Sequence, residues 1–453
     1  MEQTTVKELA QFLDQSPTCF HAVQNITDIL LKENFSRLYE NRRWQIKRGG
    51  RYLVTRNDSS VIAFIIPENG IKDMRIMASH SDSPSFKIKE NPELETDGHY
   101  IRLNVERYGG MLCAPWLDRP LSVAGRVIVK DGHGGYATRL VNVDRVLVLI
   151  PNLAIHMNRE ANDGYKYNAQ KDMLPLYGTL TAKGTFMKTI ADAAGIKELD
   201  ILGHDLFLYN RQKASVWGAS NEFISCGRLD DLQCAFASLK GFLAAADTAG
   251  IAENISDASD DANGGSISAS DGPPTSGSHM PVLCVLDNEE VGSGTKQGAA
   301  STFLYDTLTR IHDSLGYDRE DYLVHLADSF MISADNAHAV HPNHTDKADP
   351  SNRPYLNGGI VLKFNANQKY CTDAVSAAMF RDLCDRANVP VQTFTNRSDM
   401  AGGSTLGNIS NTQVALNTVD IGLPQLAMHS PYETAGVADT EYLIKAAELF
   451  FQQ

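Results

Sequence analysis

Long hydrophobic runs are absent from this 453-residue sequence: no apolar stretch reaches the roughly 20 residues that a membrane-spanning helix requires. Residues 1–10 are polar and lack the apolar core of a secretory signal peptide. The seven cysteines are odd in number and form no Cys-x-x-Cys pair, which argues against a disulfide framework and a cysteine zinc knuckle. We therefore expect a cytoplasmic protein, because a reducing compartment suits such cysteine usage.

Basic residues are also scarce, with 41 Lys and Arg against 55 Asp and Glu, a net charge of −14. A nucleic-acid-binding surface needs a basic face to neutralise phosphates. An anionic membrane likewise attracts clustered Lys and Arg. The composition therefore predicts no nucleic-acid partner and no membrane partner.

Three regions of the sequence differ in composition and in hydrophobic pattern. After Arg228 apolar strand-like runs alternate with helix-like segments, which predicts an α/β fold: a mixed, largely parallel sheet flanked by helices. Between about Phe86 and Phe223, β-branched runs punctuated by glycines predict a mostly β insert. Residues 247–279 are rich in Ser, Gly, Asp and Ala and contain no Lys or Arg, which predicts a flexible acidic loop.

Three polar clusters follow predicted strands, at residues 79–82, 287–290 and 334–338. Ligands of open α/β sheets bind at the carboxyl ends of strands. Each cluster alone is ambiguous. His80-x-Asp82 suits a metal-ligating histidine whose second N–H is held by a carboxylate, but it also suits a solvated loop. The adjacent Glu289 and Glu290 suit a metal ligand beside a general base, or two exposed surface glutamates.

Asp230, which opens a predicted helix, and His429, in a predicted loop, complete the candidate set. Together the candidates supply the histidine and carboxylate donors of a two-zinc hydrolase, in which one carboxylate must bridge the metals. Asp230 is the natural bridge because a helix start steadies a carboxylate. The Gly-Ser-Gly at 292–294 lacks the third glycine of a nucleotide-binding loop, and the sequence has no Gly-x-Ser-x-Gly elbow.

The sequence resembles the M18 family of aspartyl aminopeptidases, metallopeptidases that release N-terminal acidic residues. The resemblance rests on motifs that occur in family order from residue 78 to residue 430. They are Ala-Ser-His-Ser-Asp-Ser-Pro at 78–84, Leu-Asp-Arg at 117–119, Leu-Ala-Ile-His at 153–156, Arg-Leu-Asp at 228–230, Asp-Asn-Glu-Glu-Val-Gly-Ser at 287–293, Ser-Ala-Asp-Asn-Ala-His-Ala-Val-His-Pro-Asn at 333–343 and Gln-Leu-Ala-Met-His-Ser at 425–430.

The resemblance implies a proteolytic metal-binding domain made of residues 1–88 and 222–453, and a β-rich dimerisation domain at residues 89–221. It implies homodimers that assemble into a tetrahedral dodecamer. It also implies two divalent metal ions per subunit, Zn²⁺ before Co²⁺ or Mn²⁺, although all three accept these donors. His80 and Asp335 would hold one ion, Glu290 and His429 the other, and Asp230 would bridge them.

The resemblance further implies that Glu289 is the general base of hydrolysis by a metal-bridging hydroxide, with Asp82 orienting His80. Lys363 and His338 would contact the substrate, and His156 would reach the active site of a neighbouring subunit. Lys363 would receive the acidic side chain of Asp or Glu at the peptide's N-terminus. Without the family, an edge-strand lysine facing water is the simpler interpretation of Lys363.

Two departures and two alternatives accompany this resemblance. The acidic loop is longer than in the family, and Asp231 and Asn336 occupy variable motif positions. One alternative is a related two-metal aminopeptidase with neutral or broad specificity. The other is a catalytically idle scaffold that uses the same residues for assembly.

Overall fold

A computed structural model describes residues 2–248 and 278–453 of the chain. The predicted acidic loop, residues 247–279, lies outside the described residues except at its two ends, which belong to a helix and a strand. None of the described helices combines the length and the apolar character needed to cross a membrane.

The described residues form ten α-helices and twenty β-strands. The helices are α1 Glu2–Gln15, α2 Cys19–Lys32, α3 Ala169–Asp172, α4 Phe186–Ala194, α5 Leu229–Thr248, α6 Phe303–Leu315, α7 Arg319–Ala327, α8 Ala374–Arg386, α9 Leu406–Ser410 and α10 Val437–Gln452. The strands are β1 Ser36–Leu38, β2 Arg51–Arg56, β3 Ser60–Ile65, β4 Ile71–His80, β5 Ser85–Thr96, β6 Tyr100–Tyr108, β7 Leu121–Lys130, β8 Tyr136–Asn142, β9 Leu176–Thr179, β10 Gly203–Asn210, β11 Ser215–Trp217, β12 Phe223–Cys226, β13 Ser278–Leu286, β14 Phe330–Ala334, β15 Ala337–His338, β16 Ile360–Phe364, β17 Val391–Thr395, β18 Asn417–Gly422, β19 Pro424–Leu426 and β20 Glu433–Gly436.

The largest sheet has nine strands in the order β1-β2-β3-β13-β4-β14-β18-β16-β17. Its central strands β13, β4, β14 and β18 run parallel to one another. Strands β3 and β16 join this parallel core in antiparallel fashion. The strand β14 is buried throughout, as parallel strands covered on both faces must be. The sheet is therefore mixed and largely parallel, as predicted.

Helices cover both faces of this sheet. On one face Leu13 of α1, Phe242 of α5 and Phe450 of α10 belong to a core shared with alternate strand residues. On the other face Phe303 of α6 and Tyr322 of α7 pack on the remaining strand residues. This three-layer arrangement confirms the predicted α/β class.

Two smaller sheets complete the fold. The strands between residues 85 and 210 form a six-stranded sheet, in the order β8-β7-β10-β5-β6-β9, with a hydrophobic core of its own. We call this the insert sheet. A five-stranded sheet has the order β11-β12-β20-β19-β15. Its strands β11 and β12 directly follow the insert sheet in the sequence, and the other three come from residues 337–436. A β-rich insert is thus present, while its exact limits at 89 and 221 and its dimerisation role stay predictions.

The helix α5, which begins beside Asp230, is fixed by aromatic packing. Phe242 is fully buried, and its ring centroid lies 5.6 Å from that of Phe35 and 5.4 Å from that of Phe451. Such pairs add to the hydrophobic stabilisation of each ring.

We expect Phe242→Ala to lower the free energy of unfolding by about 3–5 kcal/mol, because it removes a buried ring and leaves a cavity. Denaturant titration of the purified variant measures this change. Leu199→Ala is the control, since Leu199 is 95% exposed and its truncation should change stability by no more than about 0.5 kcal/mol. Equal effects of the two substitutions would contradict the packing argument.

Candidate metal centre

The three predicted polar clusters meet at one edge of the main sheet. His80 is the last residue of β4, Glu289 and Glu290 lie just beyond β13, and Asp335 follows β14. Because these three strands are parallel and adjacent, their carboxyl ends bring the side chains together. The structure therefore places the sequence-predicted clusters in one site.

Asp230 and His429 reach the same site from outside the strand ends. Asp230 lies at the start of α5, but its backbone is not helical, with φ −81° and ψ 109°. His429 lies between β19 and β20 with a positive φ of 67°. The buried carboxylate of Glu433, which the sequence analysis did not single out, accepts hydrogen bonds from the backbone N–H groups of both residues. Asp230 is therefore held by the Glu433 carboxylate as well as by its position at the start of α5.

The side chains form two overlapping groups that share Asp230. His80 Nε2 lies 3.3 Å from Asp230 Oδ1 and 3.8 Å from Asp335 Oδ1. His429 Nε2 lies 3.5 Å from Asp230 Oδ2 and 3.4 Å from Glu290 Oε2. Each oxygen of the Asp230 carboxylate thus faces a different histidine.

Asp82 organises the residues around it. His80 Nδ1 lies 3.1 Å from the backbone oxygen of Asp82 and 3.4 Å from its Oδ1. The Asp82 carboxylate also accepts hydrogen bonds from the backbone N–H groups of Glu289, at 3.1 Å, and Glu290, at 3.2 Å. Tyr108 donates its hydroxyl to the same carboxylate at 2.7 Å. Asp82 therefore contacts one imidazole and the backbone of both glutamates.

The insert sheet contacts the site directly at the end of β6. A Cβ at Gly109, whose φ is 76°, would lie only 3.1 Å from Glu290 Cβ. Leu112 donates its backbone N–H to the carbonyl of His429 at 3.2 Å. A side chain at position 109 would press on Glu290, so glycine is needed for this close approach.

The site concentrates negative charge out of water. Burial raises the pKa of Glu290 well above its ordinary value, and the Asp230 carboxylate adds to this. Burial also raises the pKa of Glu289 to about 8. For Asp230 burial acts in the same direction but is outweighed by His429 and His80, which hold its pKa below the ordinary value. Bound cations relieve repulsion of this kind between carboxylates.

Buried carboxylate oxygens that accept no hydrogen bond indicate where cations fit. Among the described residues, Asp230 Oδ1, Asp231 Oδ1 and Glu290 Oε1 are buried and accept no hydrogen bond. Leaving a buried acceptor unsatisfied costs free energy, more so for a charged group. Imidazole and carboxylate are donors that zinc prefers. The second oxygen of Asp231 accepts the backbone N–H of His80 at 3.0 Å, so this residue also supports a predicted ligand. The donor set therefore fits divalent metal ions.

A cavity of about 300 Å³ opens beside these donors, and Asp230, Glu289, Asp335 and His429 are among the residues that line it. His338 also lines it, with its ring centroid 6.0 Å from that of Phe394. This volume suits a small ligand or the end of a peptide.

Lys363 lies in the wall of the cavity. It is only 3% exposed, and its strand β16 is paired on both sides, so the alternative of an edge-strand lysine facing water is wrong. Its Nζ lies 3.8 Å from Asp335 Oδ2 and 5.5 Å from the centre of the Tyr370 ring. Burial disfavours the ammonium, but Asp335 and other nearby groups more than compensate and raise the pKa of Lys363. Lys363 is therefore a buried cation beside a candidate metal ligand.

His156 is separate from this arrangement. It is exposed in the segment between β8 and α3 and does not line the cavity of its own chain. The flanking Leu153 and Ile155 are about half exposed.

Comparison with known proteins identifies the family. The family model described as "Aminopeptidase I zinc metalloprotease (M18)" matches residues 12–272 and 264–451. The chain belongs to the M18 family of zinc metallopeptidases. It is a metalloaminopeptidase, as the resemblance predicted.

Relatives of this M18 chain match over nearly their whole length. A probable M18 family aminopeptidase 2 of Clostridium novyi is 44% identical over 451 residues, which is 98% of each chain. Of the solved structures, the match in the complex of Ape4 and Nbr1 is 33% identical with a TM-score of 0.90, covering 100% of this chain and 86% of the other. The dodecamer of S. cerevisiae mApe1 is 27% identical with a TM-score of 0.83, covering 100% and 97%.

We expect Asp82→Asn to reduce zinc affinity or kcat/KM of the M18 enzyme by about 10–100-fold, as loss of groups that orient metal ligands does. The amide offers a single acceptor oxygen in place of the carboxylate that Glu289, Glu290 and Tyr108 share. Zinc titration and steady-state kinetics measure both quantities. Asp192→Asn, at an exposed ion pair on α4, is the control and should leave them unchanged. Wild-type values for the Asp82 variant would show that its contacts do not orient the ligands.

Proposed function

We propose that this M18 enzyme is a dizinc aminopeptidase that hydrolyses the peptide bond after N-terminal Asp or Glu. The observation that carries the acidic specificity is Lys363, a buried cation in the wall of the cavity beside the candidate ligand Asp335. A buried ammonium with an open cavity before it is suited to receive a carboxylate.

In this proposal His80 and Asp335 would hold one metal ion, Glu290 and His429 would hold the other, and Asp230 would contribute to both. The contacts of Asp230 support the assignment, since its Oδ1 faces His80 and its Oδ2 faces His429. Two divalent ions in such a site supply Lewis-acid polarisation of the scissile carbonyl and activation of water near neutral pH. Zinc agrees with the family description, while Co²⁺ and Mn²⁺ accept the same donors.

Glu289 is the proposed general base. It lines the cavity, and its carboxylate lies near enough to His80 and Glu290 to share a metal with them, but the groups that contain Asp230 and Asp335 or Asp230 and His429 form without it. Its carboxylate would take a proton from the attacking water and return it to the leaving amine. Asp82 accepts the backbone N–H of Glu289 and so helps to fix the position of Glu289.

Substrate recognition is assigned to two further residues that line the cavity, Lys363 and His338. The Lys363 ammonium would pair with the side-chain carboxylate of the N-terminal residue, and His338, on the neighbouring β15, would contact the same residue. Both line one cavity with Glu289, so a side chain held there lies beside the reacting bond.

His156 and the insert belong to the proposed assembly. We propose that residues 89–221 form a dimerisation domain, that residues 1–88 and 222–453 form the proteolytic domain, and that the chain builds a tetrahedral dodecamer. The exposed position of His156 outside its own cavity is compatible with a role in a neighbouring subunit. The dodecamer described for S. cerevisiae mApe1 supports this proposal by similarity.

The first test is hydrolysis of Asp-, Glu-, Leu- and Lys-anilides before chelation, after chelation and after return of Zn²⁺, Co²⁺ or Mn²⁺. We expect turnover selective for Asp and Glu, loss on chelation and recovery with a metal. Chromophore release measures the rates. Turnover of Leu without Asp would contradict the specificity and favour a neutral or broad aminopeptidase, and an intact oligomer inactive with every metal would favour an idle scaffold.

Lys363→Met tests the specificity pocket alone. We expect kcat/KM for Asp-anilide to fall by about 10–150-fold, corresponding to the loss of a hydrogen bond to a charged group of about 1.5–3 kcal/mol. Zinc content, measured by elemental analysis, should stay at the wild-type value. Lys188→Met is the matched control, because Lys188 is 65% exposed in an ion pair on α4. Unchanged selectivity in the Lys363 variant would refute the pocket.

A further inference from the structure

Glu433 holds a buried carboxylate that the proposed chemistry does not use. The residue is 2% exposed and begins the strand β20. Its Oε2 accepts the backbone N–H of Asp230 at 3.1 Å, and its Oε1 accepts the backbone N–H of His429 at 2.7 Å. One carboxylate thus accepts backbone hydrogen bonds from two candidate ligands that are distant in the sequence.

The surrounding fold makes this double contact possible. Strand β20 pairs with β12 in antiparallel register, and Cys226 lies opposite Glu433. Just beyond Cys226, a Cβ at Gly227 would lie 2.7 Å from the carbonyl oxygen of Pro431. The segment that leads to Asp230 and the loop that contains His429 therefore pack against each other, with the Glu433 carboxylate between them.

Glu433 is not placed as a metal ligand itself. Both of its oxygens are engaged by backbone N–H groups, and among the described residues the groups close enough to hold a metal do not include it. It faces a second, narrow cavity lined also by Asp82 and Arg228, rather than the cavity that contains Glu289 and Lys363. Its hydrogen bonds can therefore affect the proposed metal ions only through the backbone of Asp230 and His429.

We infer that Glu433 is a positioning residue that couples the two metal sites, because it fixes the backbone of the bridging ligand Asp230 and of the terminal ligand His429 at once. This inference rests on the proposed dizinc function. The role requires a carboxylate. A glutamine keeps one acceptor oxygen, but its amide N–H₂ then opposes one of the two backbone N–H groups. One ligand loses its anchor, whichever way the amide turns.

The test is zinc binding to metal-free full-length protein, followed by calorimetry, for wild type and Glu433→Gln. We expect two zinc ions per wild-type chain. We expect the variant to bind them about 10–100-fold more weakly, as other groups that orient metal ligands do when replaced. Glu441→Gln is the matched control: Glu441 is a buried carboxylate that accepts from Thr5 on α1 and contacts no candidate ligand, so its zinc affinity should equal that of wild type.

Thermal unfolding of the metal-free proteins separates positioning from general damage. A positioning role predicts that Glu433→Gln and Glu441→Gln unfold at similar temperatures, while only the former loses zinc affinity. If Glu433→Gln does not fold, Glu433→Asp replaces it. Its carboxylate keeps the charge but is one methylene too short to hold both N–H groups, so zinc binding should again weaken.

Wild-type zinc affinity in a folded Glu433 variant overturns this inference and leaves the proposed function intact. Equal weakening in the Glu441 control also overturns it, since the effect would then follow from any buried glutamate. Failure of the wild-type chain to bind two zinc ions overturns the dizinc proposal itself, and the inference with it. The measurement on wild type therefore distinguishes the two failures.

Discussion

Repulsion between buried carboxylates is the constraint on which the rest of this structure depends. Asp230, Glu289, Glu290 and Asp335 converge with two histidines at the end of the parallel strands. Such a cluster is unfavourable out of water unless cations and hydrogen-bond donors compensate it. Backbone N–H groups of neighbouring segments donate to the surrounding carboxylates. Among the described residues, Asp230 Oδ1, Asp231 Oδ1 and Glu290 Oε1 accept no hydrogen bond.

The carboxylates that orient the ligands follow one pattern. Asp82 accepts the backbone N–H groups of both glutamates, Asp231 accepts that of His80, and Glu433 accepts those of Asp230 and His429. These acidic residues act on the main chain of the candidate ligands. These contacts hold the backbone of the candidate ligands and leave their side chains available for the proposed metal ions.

Much of this arrangement was predictable from the sequence, for a physical reason. Parallel strands buried on both faces are continuous apolar runs, and polar residues directly after them must gather at one edge. That logic located His80, Glu289, Glu290 and Asp335. It could not locate Glu433, because a lone glutamate after a loop has no local pattern and its role arises only when β20 pairs with β12. The interior position of the strand that contains Lys363 was equally unpredictable from local sequence, since it depends on the pairing of β17 with β16. The central strand β18 has no continuous apolar run in the sequence, because Thr418 and Asp420 interrupt it.

The insert follows directly after β4 in the sequence, and this order has a consequence for how the chain folds. β4 ends at residue 80, but its two neighbours in the sheet begin at residues 278 and 330. Pairings between such distant segments carry a large loop-closure entropy and form slowly. Until they form, β4 exposes two unpaired edges, a state prone to aggregation. Within the insert, the β5-β6 and β7-β8 hairpins join strands that are consecutive in the sequence, so we expect these pairs to form earlier. The candidate metal site lies at the carboxyl ends of these strands, so we expect it to assemble only after β13 and β14 have paired with β4.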